Sequence, residues 1–248
     1  MGLFDFIFKK QTKSNTNTNS NSQNVVDSTH KVNKDSNSIR TKIEECDYPM
    51  SFSLANVKSI DMGGLKLVPY DANWYFSVPD AIVLNLLANT DKLKEFMPGV
   101  DFSTEEKAKK TLEGYMFRTE QGLGITYVIR NQNMPVGMIF VNTPKYNKIA
   151  LNLNIWTVDF FAMESIEHKK IMFNCLCQIL SVMKSDFNVP KVYALVNKAN
   201  IDCLKLIHHP QYPLFEEIDN TGFKDKDHPG ESPRVFVLNL ATMNFIHE

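Results

Sequence analysis

The residues best suited to chemistry lie in one stretch, Trp156 to Lys170, which reads WTVDFFAMESIEHKK. Two carboxylates, Asp159 and Glu164, follow an apolar run, and two lysines, Lys169 and Lys170, follow them. A carboxylate at a strand end can take a proton from a reacting group. A helix opening just after it presents unpaired N–H groups that suit a phosphate, and lysines serve phosphate as point charges. Plainer readings stand beside these. Asp159 and Glu164 can be loop solvation or helix N-terminal charges, and Glu167 to Lys170 can be the solvated first turn of a helix capped by Ser165.

Other chemistries find no support. There is no Ser/His/Asp grouping, no HExxH and no P-loop, which removes hydrolase, zinc-protease and nucleotide-triphosphatase readings. His208-His209-Pro210 reads as a helix terminus. Of the four cysteines, Cys175 and Cys177 lie two apart on a helical segment and point to different faces, so they cannot share a metal. No zinc spacing occurs, no metal site is expected, and reduced thiols in a cytoplasmic protein are the expectation.

The elements that must position these residues form a strand, a long helix, a second strand and a short helix between Lys148 and Ile207. KIALNLNIWTVDFFAME reads as the first strand. The helix SIEHKKIMFNCLCQILSVMKSDF carries Met172, Leu176, Ile179, Leu180 and Met183 on one broad apolar face, the mark of a buried crossover. VPKVYALVN is the second strand and KANIDCLKLI the second helix. Along the first strand, Leu151, Leu153 and Ile155 alternate with asparagines, and from Trp156 the alternation changes phase. Either one extra residue bulges the strand or its amphipathicity fades toward its end.

Upstream, SFSLANV reads as a short strand and LKLVPY, after Gly63-Gly64, as another. A helix opened by Pro79 places Ile82, Leu86, Leu87, Leu93 and Phe96 at helical spacing, with a break near Asn89-Thr90-Asp91. Ser103-Thr104-Glu105-Glu106 opens a further helix ending near Gln121. ITYVIRN and PVGMIFV form a hairpin around Gln132-Asn133. PLFEEID and RVFVLNLA are the last strands. The class is α+β with a mixed sheet, in a single domain over 43–248.

The 248 residues are 43% hydrophobic and 22% charged, with a net charge of −1. Seven of 27 basic and three of 28 acidic residues fall in 1–42, leaving 20 basic against 25 acidic in the remainder. A slightly acidic body argues against a nucleic-acid groove. Residues 11–42 are a polar tract too poor in apolar side chains to offset the entropy of ordering, so a disordered linker is expected. Residues 1–10, MGLFDFIFKK, are too short to span a membrane. As a helix they would put Leu3, Phe4, Ile7 and Phe8 on one face able to touch a membrane surface or a partner, or simply to dock as a short helix.

The order of elements, with LLANTDKLKEFMPG, VIRNQNMPVGMIFV and KVYALVNKANIDCLKLI in sequence, resembles the GNAT acyltransferases, closest to the group of ribosomal-protein N-terminal acetyltransferases. The resemblance covers about residues 63–240. It implies a mixed sheet flanked by helices and direct acetyl transfer from acetyl-CoA to a small-molecule or protein amine. It also implies a fourth strand that splays from the fifth to admit the pantetheine arm. The backbone of Trp156, Thr157, Val158 and Asp159, together with Asn197 and Asn200, would lie beside that arm, with Asp159 or Glu164 as the base. The family's Arg/Gln-x-x-Gly-x-Gly/Ala loop falls on Ser165 to Met172, which contains no glycine; Lys169 and Lys170 would supply the charge there. The family's tyrosine acid falls on Leu204. These departures leave open a non-catalytic binding module of the same fold.

Overall fold

The computed structural model describes residues 43–45, 52–70, 77–87, 90–163, 166–207, 215–219 and 232–243. The expectations for residues 1–42, Ser165, Cys46 and His208-His209 lie outside the described residues.

The sheet is built from β1 (Ile60–Asp61), β2 (Leu65–Pro69), β3 (Gly124–Asn131), β4 (Met134–Asn142), β5 (Thr157–Ala162), β6 (Lys191–Val196), β7 (Glu216–Ile218) and β8 (Arg234–Asn239). Their spatial order is β1-β2-β3-β4-β5-β6-β8-β7. Every neighbouring pair is antiparallel except β5 with β6. The helices are α1 (Val78–Leu87), α2 (Thr90–Phe96), α3 (Glu105–Glu120), α4 (Pro144–Leu151), α5 (Ile166–Ser185) and α6 (Ile201–Ile207).

Both faces of the central strands are buried, which is why ITYVI and VGMIFV read as nearly unbroken apolar runs. Met138 and Phe140 point to one face, where they pack with Ala81 and Leu84 of α1, Leu93 of α2 and Leu112 and Tyr115 of α3. Ile139 and Val141 point to the other, against Met172, Cys175, Leu176, Ile179, Leu180 and Met183 of α5 and Leu204 and Ile207 of α6. The apolar stripe expected of the long helix is the one that is buried.

Local signals set the helix starts. Ser77 and Asp80 cap α1 reciprocally: Asp80 N donates to Ser77 Oγ (3.3 Å) and Ser77 N to Asp80 Oδ2 (3.0 Å). Thr104 caps α3, accepting from Lys107 N at 3.3 Å. The hairpin turn is the expected Gln132-Asn133, with Gln132 at φ 55°.

Two expectations are corrected. SFSLANV is no strand; Leu54–Asn56 form a single 3-10 turn capped by Ser53. The residues expected at helical spacing do lie on α1 and α2, with Ala81, Leu84 and Leu93 buried and Leu86 76% exposed. The larger correction is the first strand of the crossover unit. Residues 144–151 are helical: Thr143 caps α4, Pro144 fills its first turn, and Asn152 ends it in the left-handed region at φ 57°. The strand begins only at Thr157. Its register with β4 runs unbroken from Asn142↔Thr157 to Gly137↔Ala162, so there is no bulge in it. The change of phase at Trp156 marks entry into the sheet, and the ladder irregularity lies instead between Ile129 and Arg130 in the β3–β4 hairpin.

Candidate functional site

Among the described residues β5 and β6 are the one parallel pair, and they meet at a single register point, Thr157↔Tyr193, with Tyr193 N donating to Trp156 O at 2.9 Å. Beyond it the strands part. β5 stays paired to β4 along its whole length, and β6 to β8 from Lys191↔Asn239 to Val196↔Arg234. From Val158 and Ala194 onward, the facing edges of β5 and β6 therefore form no ladder with each other. Such an edge is where an extended, amide-bearing chain can add as a strand. The crossover helix α5 starts four residues after β5 ends, at the wide end of this opening.

Asp159 stands two residues past the meeting point. Its register partner Phe140 packs against Tyr115 of α3, with ring centroids 5.4 Å apart, so Asp159 points to the α1–α3 face. The carboxylate is half-buried, and burial raises its pKa above the usual carboxylate range. A hydrogen bond from Asn142 Nδ2 (2.6 Å) and the positive charge of Arg118 act in the opposite direction.

Asn142 is the hub of a buried polar cluster. Its Nδ2 also donates to Thr157 Oγ1 (3.0 Å), and its Oδ1 accepts from Arg118 Nη2. Thr157 in turn meets Asn147 of α4, whose Nδ2 donates to Thr157 Oγ1 (3.1 Å) and to Ile155 O (2.8 Å). Arg118, near the end of α3, is 5% exposed and lies over the Tyr146 ring at 4.4 Å from its centroid. Gly124 makes room for it: a Cβ there would lie 3.0 Å from Arg118 Nη2 and 2.6 Å from Val141 O.

The expected site residues divide. Trp156, Thr157, Val158 and Asp159 lie together at the opening. Trp156 is 2% exposed, packs on the α5 face, and its Nε1 has no hydrogen-bond partner among the described residues. Asn197 and Asn200 shape the turn from β6 into α6: Asn197 Oδ1 accepts from Ala199 N (2.8 Å), and Asn200 Oδ1 caps α6 through Cys203 N (3.1 Å). Lys170 is exposed on the first turns of α5. Glu164 and the Lys169 side chain lie outside the described residues. Leu204, where the resemblance would put a tyrosine acid, is buried.

Cys203 lies close enough to Asp159 to feel its charge. Burial first, and Asp159 second, push this thiol up to about 12, so it stays protonated at neutral pH. Cys175 and Cys177 are likewise pushed up by burial, to about 12 and about 11. Cys175, Cys177 and Cys203 are all free. Among the described residues no group of His, Cys, Asp and Glu could hold a metal ion, and no helix is long and apolar enough to cross a membrane.

Sequence reasoning missed Arg118, Asn142, Tyr146 and Asn147. A signal existed for two of them. Arg118 continues the Leu112–Tyr115 stripe at helical spacing, and Asn142 continues the inward face of Met138 and Phe140. A polar residue in a core stripe is one that folding must satisfy internally.

Among the described residues the architecture is a mixed sheet with one splayed parallel pair and helices on both faces. No protein-family model matches the sequence, and no curated protein matches it. Solved structures do. RimL, the ribosomal L7/L12 α-N-protein acetyltransferase in complex with coenzyme A, is 16% identical with a TM-score of 0.55, over 73% of this chain and 97% of its own. The ribosomal-protein-S5-alanine acetyltransferase of Vibrio fischeri is 14% identical with a TM-score of 0.54, over 74% and 97%. MccE, the microcin C7 self-immunity acetyltransferase in complex with acetyl-CoA and AMP, is 11% identical with a TM-score of 0.55, over 72% and 93%. The fold is the GNAT acetyltransferase fold.

Proposed function

We propose that the protein is an N-acetyltransferase that takes an acetyl group from acetyl-CoA and passes it directly to an amine. The observation that carries the reading is the opening between β5 and β6, closed only at Thr157 and Tyr193. Its unladdered edges, with the backbone of Trp156 to Asp159 on one side and Ala194 to Asn197 on the other, fit the amides of a pantetheine arm. The start of α5, with Lys170 and the neighbouring Lys169, would meet the phosphates by dipole and charge.

Asp159 is the base. An unprotonated amine attacks the thioester carbonyl carbon; the C–N bond forms, the C–S bond breaks and CoA leaves as thiolate. The amine's proton passes to the Asp159 carboxylate, directly or through one water, and is available for the thiolate. Burial suits Asp159 to this, since a carboxylate with a raised pKa holds a proton better at neutral pH. The acceptor is a small-molecule or protein amine; RimL and the S5-alanine acetyltransferase act on protein amines.

A second reading, a binding module of the same fold without catalysis, is favoured by the glycine-free start of α5 and by buried Leu204 in place of an acid. Calorimetry of the full chain with acetyl-CoA and with CoA separates the two. The enzyme reading expects saturable binding of both, and no heat at millimolar ligand ends it.

A further inference from the structure

Arg118 is an unusual residue to find at this depth. A buried guanidinium is costly unless its charge is answered, yet among the described residues it reaches a carboxylate only through Asn142. Its seat is specific: the Tyr146 ring on one side, the gap left by Gly124 on another, and the Asn142 carbonyl at the end.

Those contacts fix the Asn142 amide. A guanidinium only donates, so the amide must turn its oxygen to Arg118 and its nitrogen to Asp159 and Thr157. Asn142 can then only donate to Asp159, a bond that strengthens when Asp159 is ionised. The charge on α3 is thereby delivered to a carboxylate on β5 through one amide on β4. We propose that Arg118, acting through Asn142, is a positioning residue that holds the Asp159 carboxylate anionic and in one orientation, as an acyl-transfer base requires.

The inference rests on the reading of Asp159 as that base. Burial opposes the anion and the Arg118–Asn142 pair supports it, so the pair offsets part of the burial penalty while burial keeps the base a good proton acceptor. Among the described residues the other groups near it do not compete. The Cys203 thiol on α6 and the buried Tyr115 hydroxyl on α3 both keep their protons at neutral pH, and Tyr146 on α4 meets Arg118 with its ring. Thr157 and Asn147 are uncharged.

The test needs no acceptor. The full chain is labelled with 13C at aspartate Cγ and with 15N, Asp159 is assigned by loss of its signal in Asp159→Asn, and both Asp159 Cγ and the Asn142 side-chain amide are followed against pH. In the unmodified protein the two signals are expected to share one midpoint. Arg118→Gln should move that midpoint upward, and Arg118→Lys, which keeps the charge, should move it less. An Asn142 amide that does not follow Asp159 overturns the proposal, as does an unmoved midpoint in a folded Arg118→Gln. If Arg118→Gln does not fold, the shared midpoint in the unmodified protein decides.

Acetyl-CoA turnover separates this from the functional reading. A shifted midpoint without acetyl-CoA binding supports the relay and removes the enzyme. Turnover with an acidic limb unchanged in Arg118→Gln keeps the enzyme and removes the relay.

Discussion

Thr157 and Tyr193 are the only residues through which β5 and β6 face each other in register. Both are anchored from outside the pair. Thr157 Oγ1 accepts from Asn142 and Asn147, while the Tyr193 hydroxyl accepts from Glu44 N and donates to Glu44 O, each at 3.1 Å. The apex of the opening is thus pinned on one side by the buried polar cluster and on the other by the segment 43–45. A pinned apex lets the strands part beyond it without unzipping.

Removing the base tests the chemistry at that opening. Asp159→Asn keeps the shape and the capacity to accept from Asn142 but loses the proton acceptor. Acetyl-CoA binding by calorimetry should be retained, and the transfer rate should fall by roughly 10²–10⁴-fold. In the unmodified enzyme the rate should rise with pH through the Asp159 pKa. That rise should lie above the ordinary carboxylate range, because burial raises the value.

The same substitution should stabilise the fold. An aspartate whose pKa is higher folded than unfolded binds its proton more tightly in the native state. Stability is therefore lost as pH rises from the unfolded to the folded pKa, and the loss is complete above the latter. Asp159→Asn removes it. Its Tm should exceed that of the unmodified protein at neutral pH, and the difference should close below the unfolded pKa. A pair of thermal melts at neutral and acidic pH measures this; equal Tm values at neutral pH contradict the assignment.

Much of this was legible in the sequence, for reasons that particular residues make plain. The Met172–Met183 stripe, the Gln132-Asn133 turn and the Thr104 cap are local patterns, and local patterns survive into the structure. The misread segment 144–151 fails on a conflict between two such patterns. Leu151, Leu153 and Ile155 imitate a strand, but Thr143-Pro144 is a helix start, and the start prevailed because α4 supplies Tyr146 and Asn147 to the cluster. Asp159 stood out as a carboxylate beside a strand end. Arg118 and Asn142, 24 residues apart in the chain and far from Asp159 in it, become partners only once α3, β4 and β5 are stacked.

Gly124 should prove intolerant of a side chain for the sake of Arg118. The methyl of Gly124→Ala would sit 2.6 Å from the Val141 carbonyl oxygen, part of the rigid β3–β4 ladder, and 3.0 Å from the guanidinium. The backbone cannot yield cheaply, so a loss of about 1–3 kcal/mol is expected in urea denaturation. The displaced guanidinium should also weaken the Asn142 contact, so the acidic limb of the rate should move up in pH as in Arg118→Gln.

Tyr193→Phe tests the other side of the apex. The ring of Tyr193 is buried with Ile155, Ile218 and Val235, and Ile43 packs against that cluster. The substitution keeps this packing and removes only the hydroxyl that clasps Glu44. Lys191 still pairs with Glu44, and Glu45 Oε2 still accepts from Asn154 N. The ion pair is too exposed to hold the segment alone. Global stability should fall by about 1 kcal/mol, the worth of a partly buried hydrogen-bonded pair. Amide exchange at Glu44 should quicken well beyond that in β6 and β8, because the Glu44 N–H loses its acceptor. Unchanged exchange at Glu44 would mean that Ile43, the Lys191–Glu44 ion pair and the Asn154–Glu45 hydrogen bond hold the segment without the clasp.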